Sequence, residues 1–184
     1  MSAERKRGIP DLEYISRIAQ ETTLVNGFHI PTLIVVGGRR LEIIQIPFDN
    51  VQAEARHSLM KVIGMDMATQ KRLGELKRLF LVTEGWLGRP EEPDKEYVPP
   101  SQDPNRVEAL IIAMLDVNSG QAEMDIFEMR RRSDGDLAEL ISIELGGDEG
   151  KTRAYLLEKF AEGYQSTRAY QKRRTSQNGG QKSR

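Results

Sequence analysis

The stretch from Val107 to Leu115 limits the possible folds of this chain more than any other segment. Apart from Glu108, its residues are apolar at odd and even positions alike, so a strand formed here carries apolar side chains on both faces. Such a strand is stable only in a sheet that is covered on both sides. The segment therefore predicts a layered α+β domain with helices on both faces of a sheet.

The remaining strand patterns predict a mostly antiparallel sheet of about six strands. Two β-branched runs are separated by Gly37 and Gly38, which is typical of a hairpin whose two turn residues both have positive φ. Short turns join the last three runs, so these should form an antiparallel meander. The predicted strands cover residues 30–36, 39–46, 77–83, 107–115, 121–131 and 137–145.

Apolar residues at helical spacing predict three helices. The first covers residues 11–22, and the second is a long helix over residues 50–73 that Asp49 can cap. The third begins near Asp148 and has an apolar face as far as Tyr164. We expect the long helix on one face of the sheet and the two terminal helices on the other.

The 184 residues suit a single domain with tails. We expect a flexible N-terminus at residues 1–10, one α/β domain at 11–164 and a disordered basic tail at 165–184. The tail has six Lys or Arg and no acid, so the rest of the chain carries a net charge of −7. Such a tail can be merely solvating, or it can make weak nucleic-acid contacts. The residues predicted to make them are Arg168, Lys172, Arg173 and Arg174.

Composition excludes several classes of function. The chain has no cysteine, which rules out disulfides, thiolate catalysis and cysteine-based zinc sites. Its two histidines, His29 and His57, lack the spacing of metal ligands, so no metal or other cofactor is predicted. The N-terminal residues are polar, and no apolar run approaches the roughly 20 residues of a membrane span. These features predict a soluble, cytoplasmic protein.

The connection over residues 84–106 is the candidate site, because long loops in compact domains are often functional. Glu84 and Asp103 could perform acid–base chemistry or hold a hard cation such as Mg²⁺. In the alternative, structural interpretation, Asp103 fixes a turn and Arg106 pairs with Glu84 or Glu108. The only tryptophan could anchor a partner or pack over the core edge. The candidate binding residues are Glu84, Trp86, Arg89, Ser101, Asp103 and Arg106.

Over residues 11–130 the order of elements resembles the JAB/MPN domain, a family whose active members are zinc isopeptidases. The residues that correspond to the family pattern are Glu42 on the hairpin, Gly85, Trp86 and Pro90 in the loop, and Ser101 and Asp103 before the apolar strand. Both zinc-binding histidines are missing from the loop, which is one residue short, and a single residue separates Ser101 from Asp103. The resemblance therefore implies an inactive, scaffold-like member without zinc.

No complete catalytic, metal or nucleotide motif occurs in the chain, which favours a non-enzymatic module for protein interaction or ligand sensing through the 84–106 loop. A metal-assisted hydrolase that uses Glu84 and Asp103 is one alternative. A nucleic-acid accessory protein that uses the basic tail is another. The exposed edge strands also make a homodimer plausible.

Overall fold

The computed structural model describes residues 8–48, 51–88, 102–144 and 154–179, with side chains described as far as residue 173. It has one six-stranded antiparallel sheet and three helices, which confirms the predicted fold class. In chain order the elements are α1 Leu12–Asn26, β1 Thr32–Gly37, β2 Leu41–Gln45, α2 Ala53–Thr69, β3 Leu76–Leu87, β4 Val107–Asp116, β5 Ala122–Arg131, β6 Leu137–Ser142 and α3 Tyr155–Gly179.

The strands lie in the order β2-β1-β3-β4-β5-β6, and every neighbouring pair is antiparallel. The connection through α2 therefore carries the chain from edge strand β2 to β3 on the other side of β1. The prediction that the segment after Glu108 is buried on both faces is confirmed. Leu110 and Ile112 on one face of β4 are fully buried, and Ala113 and Leu115 are buried in the core on the opposite face.

The helices cover both faces, but α3 lies on the face opposite to the one predicted. Ile15 and Ala19 of α1 pack on one face of the sheet, whereas α2 and α3 share the core of the other face. Two glycines allow α2 and α3 to approach closely. A Cβ on Gly64 would lie 2.2 Å from the Phe160 carbonyl oxygen, and a Cβ on Gly163 would lie 2.2 Å from the Lys61 carbonyl oxygen. The helices pair because their backbones can touch there.

The hairpin forms, but the predicted turn geometry is wrong. Neither Gly37 nor Gly38 has a positive φ. Gly37 ends β1, its N–H donates to the Arg40 carbonyl oxygen at 2.9 Å, and β2 begins at Leu41. Glycine is required at position 37 for a different reason: a Cβ there would lie 2.3 Å from the Leu73 carbonyl oxygen. Glycine is needed here for close packing rather than for a left-handed backbone conformation.

Several predicted element ends differ from the structure. Helix α1 runs to Asn26, where Gly27 adopts φ of 77° as its C-terminal cap, and β6 ends at Ser142. Gln52 takes the N-cap position of α2. The predicted caps, Asp49 and Asp148, lie outside the described residues.

Helix α3 extends beyond the apolar face that predicts it. It continues past Tyr164 to Gly179, so residues 165–179 extend a helix in the region that the sequence assigns to a basic tail. Arg168 and Lys172 lie one turn apart along α3, and Arg173 follows about 100° further around it. Within the described residues, none of the helices has the length and apolar character needed to cross a bilayer.

Candidate functional site

The predicted site residues lie on two adjacent strands rather than on one loop. β3 continues past Thr83, because its pairing with β4 extends as far as Leu87 opposite Val107. Glu84 and Trp86 are therefore strand residues. Asp103 and Arg106 lie just before β4, while the predicted site residues Arg89 and Ser101 lie outside the described residues.

The Glu84 carboxylate fastens the segment after α1 to the sheet. Its Oε1 accepts a hydrogen bond from the backbone N–H of His29 at 2.5 Å. Burial raises the pKa of Glu84; the bond from His29 opposes this rise, and the nearby Glu108 carboxylate adds to it. The same segment carries the His29 imidazole, whose pKa is lowered by burial. The carboxylate thus has a structural partner that the sequence analysis did not identify.

A second polar contact joins the same end of α1 to the sheet. The Arg131 guanidinium binds both carboxylate oxygens of Glu108, each at 2.7 Å, which is the strong bidentate form of this ion pair. Its Nη1 also donates to the Gly27 carbonyl oxygen at 2.9 Å. The sequence alone does not reveal this ion pair, because Glu108 and Arg131 lie diagonally across neighbouring strands and only the register of β4 and β5 brings them together.

The Arg106 guanidinium lies over the half-exposed ring of Trp86. The Trp86 side chain is 48% exposed, and the Arg106 guanidinium carbon lies 4.6 Å from its ring centroid. This distance and geometry are those of a cation–π contact. In the structural interpretation of the loop, Arg106 could pair with Glu84 or Glu108. In the structure its guanidinium lies over Trp86, and Glu108 binds Arg131.

Asp103 forms a local turn that leads into β4. Its Oδ1 accepts the backbone N–H of Asn105 at 2.8 Å, and its carbonyl oxygen accepts the N–H of Arg106 at 3.2 Å. This is an Asx turn, as the structural interpretation of the loop predicts. The turn holds Arg106 at the start of the strand, opposite the end of β3.

Two exposed apolar residues flank this site. Phe28 is 54% exposed and Ile30 is 45% exposed. β1 pairs with β3 so that Thr32 is opposite Val82, and the hydrogen bond from the His29 N–H to Glu84 holds the residues just before β1 against the same strand that carries Trp86. We call Phe28, Ile30, Trp86 and Arg106 the Trp86 surface.

The described residues contain no cluster of three or more His, Cys, Asp or Glu side chains arranged to hold a metal ion. The His29 imidazole Nδ1 is 2.8 Å from the Ile30 carbonyl oxygen.

No family model, curated protein or solved structure matches the chain. The resemblance to the JAB/MPN domain therefore depends on the order of elements and on the residues that the sequence analysis aligned.

Proposed function

We propose that this protein is a non-enzymatic interaction module that binds a protein partner through the Trp86 surface, in the cytoplasm. The observation that carries the proposal is the half-exposed Trp86 ring with the Arg106 guanidinium over it. Tryptophan and arginine are the residue types that most often contribute large binding energies at protein interfaces. Two further exposed apolar side chains, Phe28 and Ile30, flank His29, whose N–H bonds Glu84 on the strand that carries Trp86.

The contacts of the two candidate carboxylates support binding over hydrolysis. Glu84 accepts the N–H of His29, and Asp103 accepts the N–H of Asn105. A catalytic or metal-binding role for Glu84 would compete with the bond that holds the residues after α1 against β3. Losing that bond would leave a partly buried N–H without its acceptor.

The surface also indicates the chemistry of the partner. Exposed rings and an aliphatic side chain favour an apolar group on the partner, since burial of apolar area provides most of the driving force for association. A partner segment with exposed apolar side chains fits this requirement.

Affinity capture with the purified chain as bait, followed by binding of each purified candidate partner, tests this proposal. Trp86 is the only tryptophan, so its fluorescence should shift to shorter wavelength when a partner covers the ring. Trp86→Ala and Phe28→Ala should each weaken binding by tenfold or more, equivalent to about 1.4 kcal/mol.

The matched control is Tyr170→Ala, because Tyr170 is a similarly exposed aromatic residue (61%) on α3. This variant should bind like the unmodified chain. A partner that binds all three variants equally would refute the proposed surface. Metal-dependent hydrolysis that disappears in Glu84→Gln would refute the non-enzymatic assignment.

A further inference from the structure

A groove lies between the start of α1 and the β1–β2 hairpin, away from the Trp86 surface. Its volume is about 1120 Å³. Ile9, Tyr14, Val36 and Leu41 contribute its apolar lining. Ile9, Tyr14 and Leu41 are 51%, 48% and 42% exposed, so the groove presents apolar side chains that none of the described residues covers.

The groove continues onto an open strand edge. Among the described strands, β2 has a neighbour on one side only. The Arg40 carbonyl oxygen accepts from Gly37 and the Ile46 N–H donates to Pro31, so residues 40 and 46 direct their backbone groups towards β1. Because backbone direction alternates along a strand, Leu41, Ile43 and Gln45 direct their N–H and C=O groups outwards.

The outward side of β2 is suited to a further strand. Ile43 is 65% exposed and lies on the same face as Leu41. The strand contains neither proline nor lysine, the residues that commonly protect an edge from pairing. Backbone bonds would therefore provide affinity, and Leu41 and Ile43 would select apolar side chains at alternating positions.

Charge indicates what else the bound strand should contain. The basic residues Arg39, Arg40 and Lys77 line the groove, whereas Asp11 is the only acidic residue among the described residues that line it. Asp11 already accepts the N–H of Tyr14 at 2.9 Å as the cap of α1. Arg40 and Lys77 pair with neighbouring glutamates, while Arg39 makes no ion pair with any described residue. The hairpin end of β2 thus offers excess positive charge.

We infer that the β2 edge and this groove bind an extended peptide segment of a partner protein, with acidic residues at one end and apolar residues at alternating positions beyond them. The acidic end meets Arg39 and Arg40 at the hairpin. The alternating part adds to β2 and covers Leu41 and Ile43.

The experiment measures binding of a synthetic probe peptide to the full chain by fluorescence anisotropy. The probe has a run of aspartate and glutamate followed by alternating valine and threonine, and the control peptide has lysines in place of the acids. We expect the acidic probe to bind more tightly and to lose affinity as salt is raised. Arg39→Glu should weaken the acidic probe by about tenfold at low salt and strengthen the lysine peptide. Arg173→Glu, an exposed substitution on α3, is the matched control.

Hydrogen exchange tests the strand addition independently of charge. Bound probe should slow exchange of the amides of Leu41, Ile43 and Gln45, which point away from β1, and should leave the already bonded amides of Glu42 and Ile44 unchanged. A probe N-methylated on the amides that face β2 should lose this protection and its affinity.

Three results would overturn the inference. Binding that Arg39→Glu leaves unchanged would exclude recognition of the acidic end. Binding without protection of Leu41, Ile43 and Gln45 would exclude strand addition. A free chain that sediments as a dimer with those three amides already protected would show that a second copy, rather than a partner peptide, occupies the edge.

Discussion

Replacing Gly163 with alanine should separate the two helices that cover one face of the sheet. The new Cβ would lie 2.2 Å from the Lys61 carbonyl oxygen, whereas ordinary carbon–oxygen contacts are at about 3.3 Å. The helices must therefore move apart by about 1 Å. Fully buried Phe160 and Leu157 pack at this junction, and a gap of that size removes about a quarter to a half of the dispersion energy of each contact it opens.

The expected loss can be bounded from these effects. Overpacking of this kind costs about 1–3 kcal/mol, and we assign the upper end because a backbone atom blocks the Cβ. The higher helix propensity of alanine returns about 1 kcal/mol. The net loss in free energy of unfolding is about 2 kcal/mol, equivalent to a fall in Tm of about 4–8 °C.

Thermal and urea denaturation followed by circular dichroism measure this change. The control is Gln165→Ala, an exposed position on the same helix, which should leave Tm unchanged or slightly higher. Combining Gly163→Ala with Gly64→Ala should cost less than the sum of the single changes, because the first already separates the helices. A Tm for Gly163→Ala at or above that of the unmodified chain would refute the close helix contact.

Three further predictions concern the sheet and the site. Leu110→Ala should lower the free energy of unfolding by about 2–5 kcal/mol in urea denaturation, because it empties a fully buried position; a loss below 1 kcal/mol would contradict its central placement. The raised pKa of Glu84 means that the folded state binds its proton more tightly, so the contribution of Glu84 to stability should fall as pH rises above about 4. The Glu84→Gln variant should lack this fall. If the free energy of unfolding changes with pH equally in the two proteins, the prediction is wrong. Arg131→Met should speed amide exchange in the residues around Gly27, because it removes the donor that holds the end of α1; unchanged exchange there would show that α1 is held by its apolar contacts.

Local patterns predicted most elements, since a strand or a turn depends on residues close together in sequence. The apolar run of β4 predicted coverage on both faces, and Asp103 forms its turn with a residue two positions away. The far end of β3 was not predictable in this way. Its polar and glycine residues do not follow a strand pattern, and pairing with β4 keeps them extended.

The candidate site could be predicted only as a set of residues. Glu84 binds a backbone N–H 55 positions earlier in the chain. Because nearly every residue has a backbone N–H, the residue type does not show which one donates. The residues before β1 reach β3 because β3 pairs with β1 after the chain has crossed through α2. Sequence spacing carries no information about that register.

The sequence by itself determined the antiparallel α+β fold, because alternation, apolar runs and turns are local physical preferences. The tertiary structure alone decided which face α3 covers and which exposed side chains meet. The face that α3 covers depends on two close backbone contacts, of Gly64 with Phe160 and of Gly163 with Lys61, and the Trp86 surface depends on the pairing of β3 with β4. Both arise from contacts between segments distant in sequence, where shape and register rather than local preference determine the arrangement.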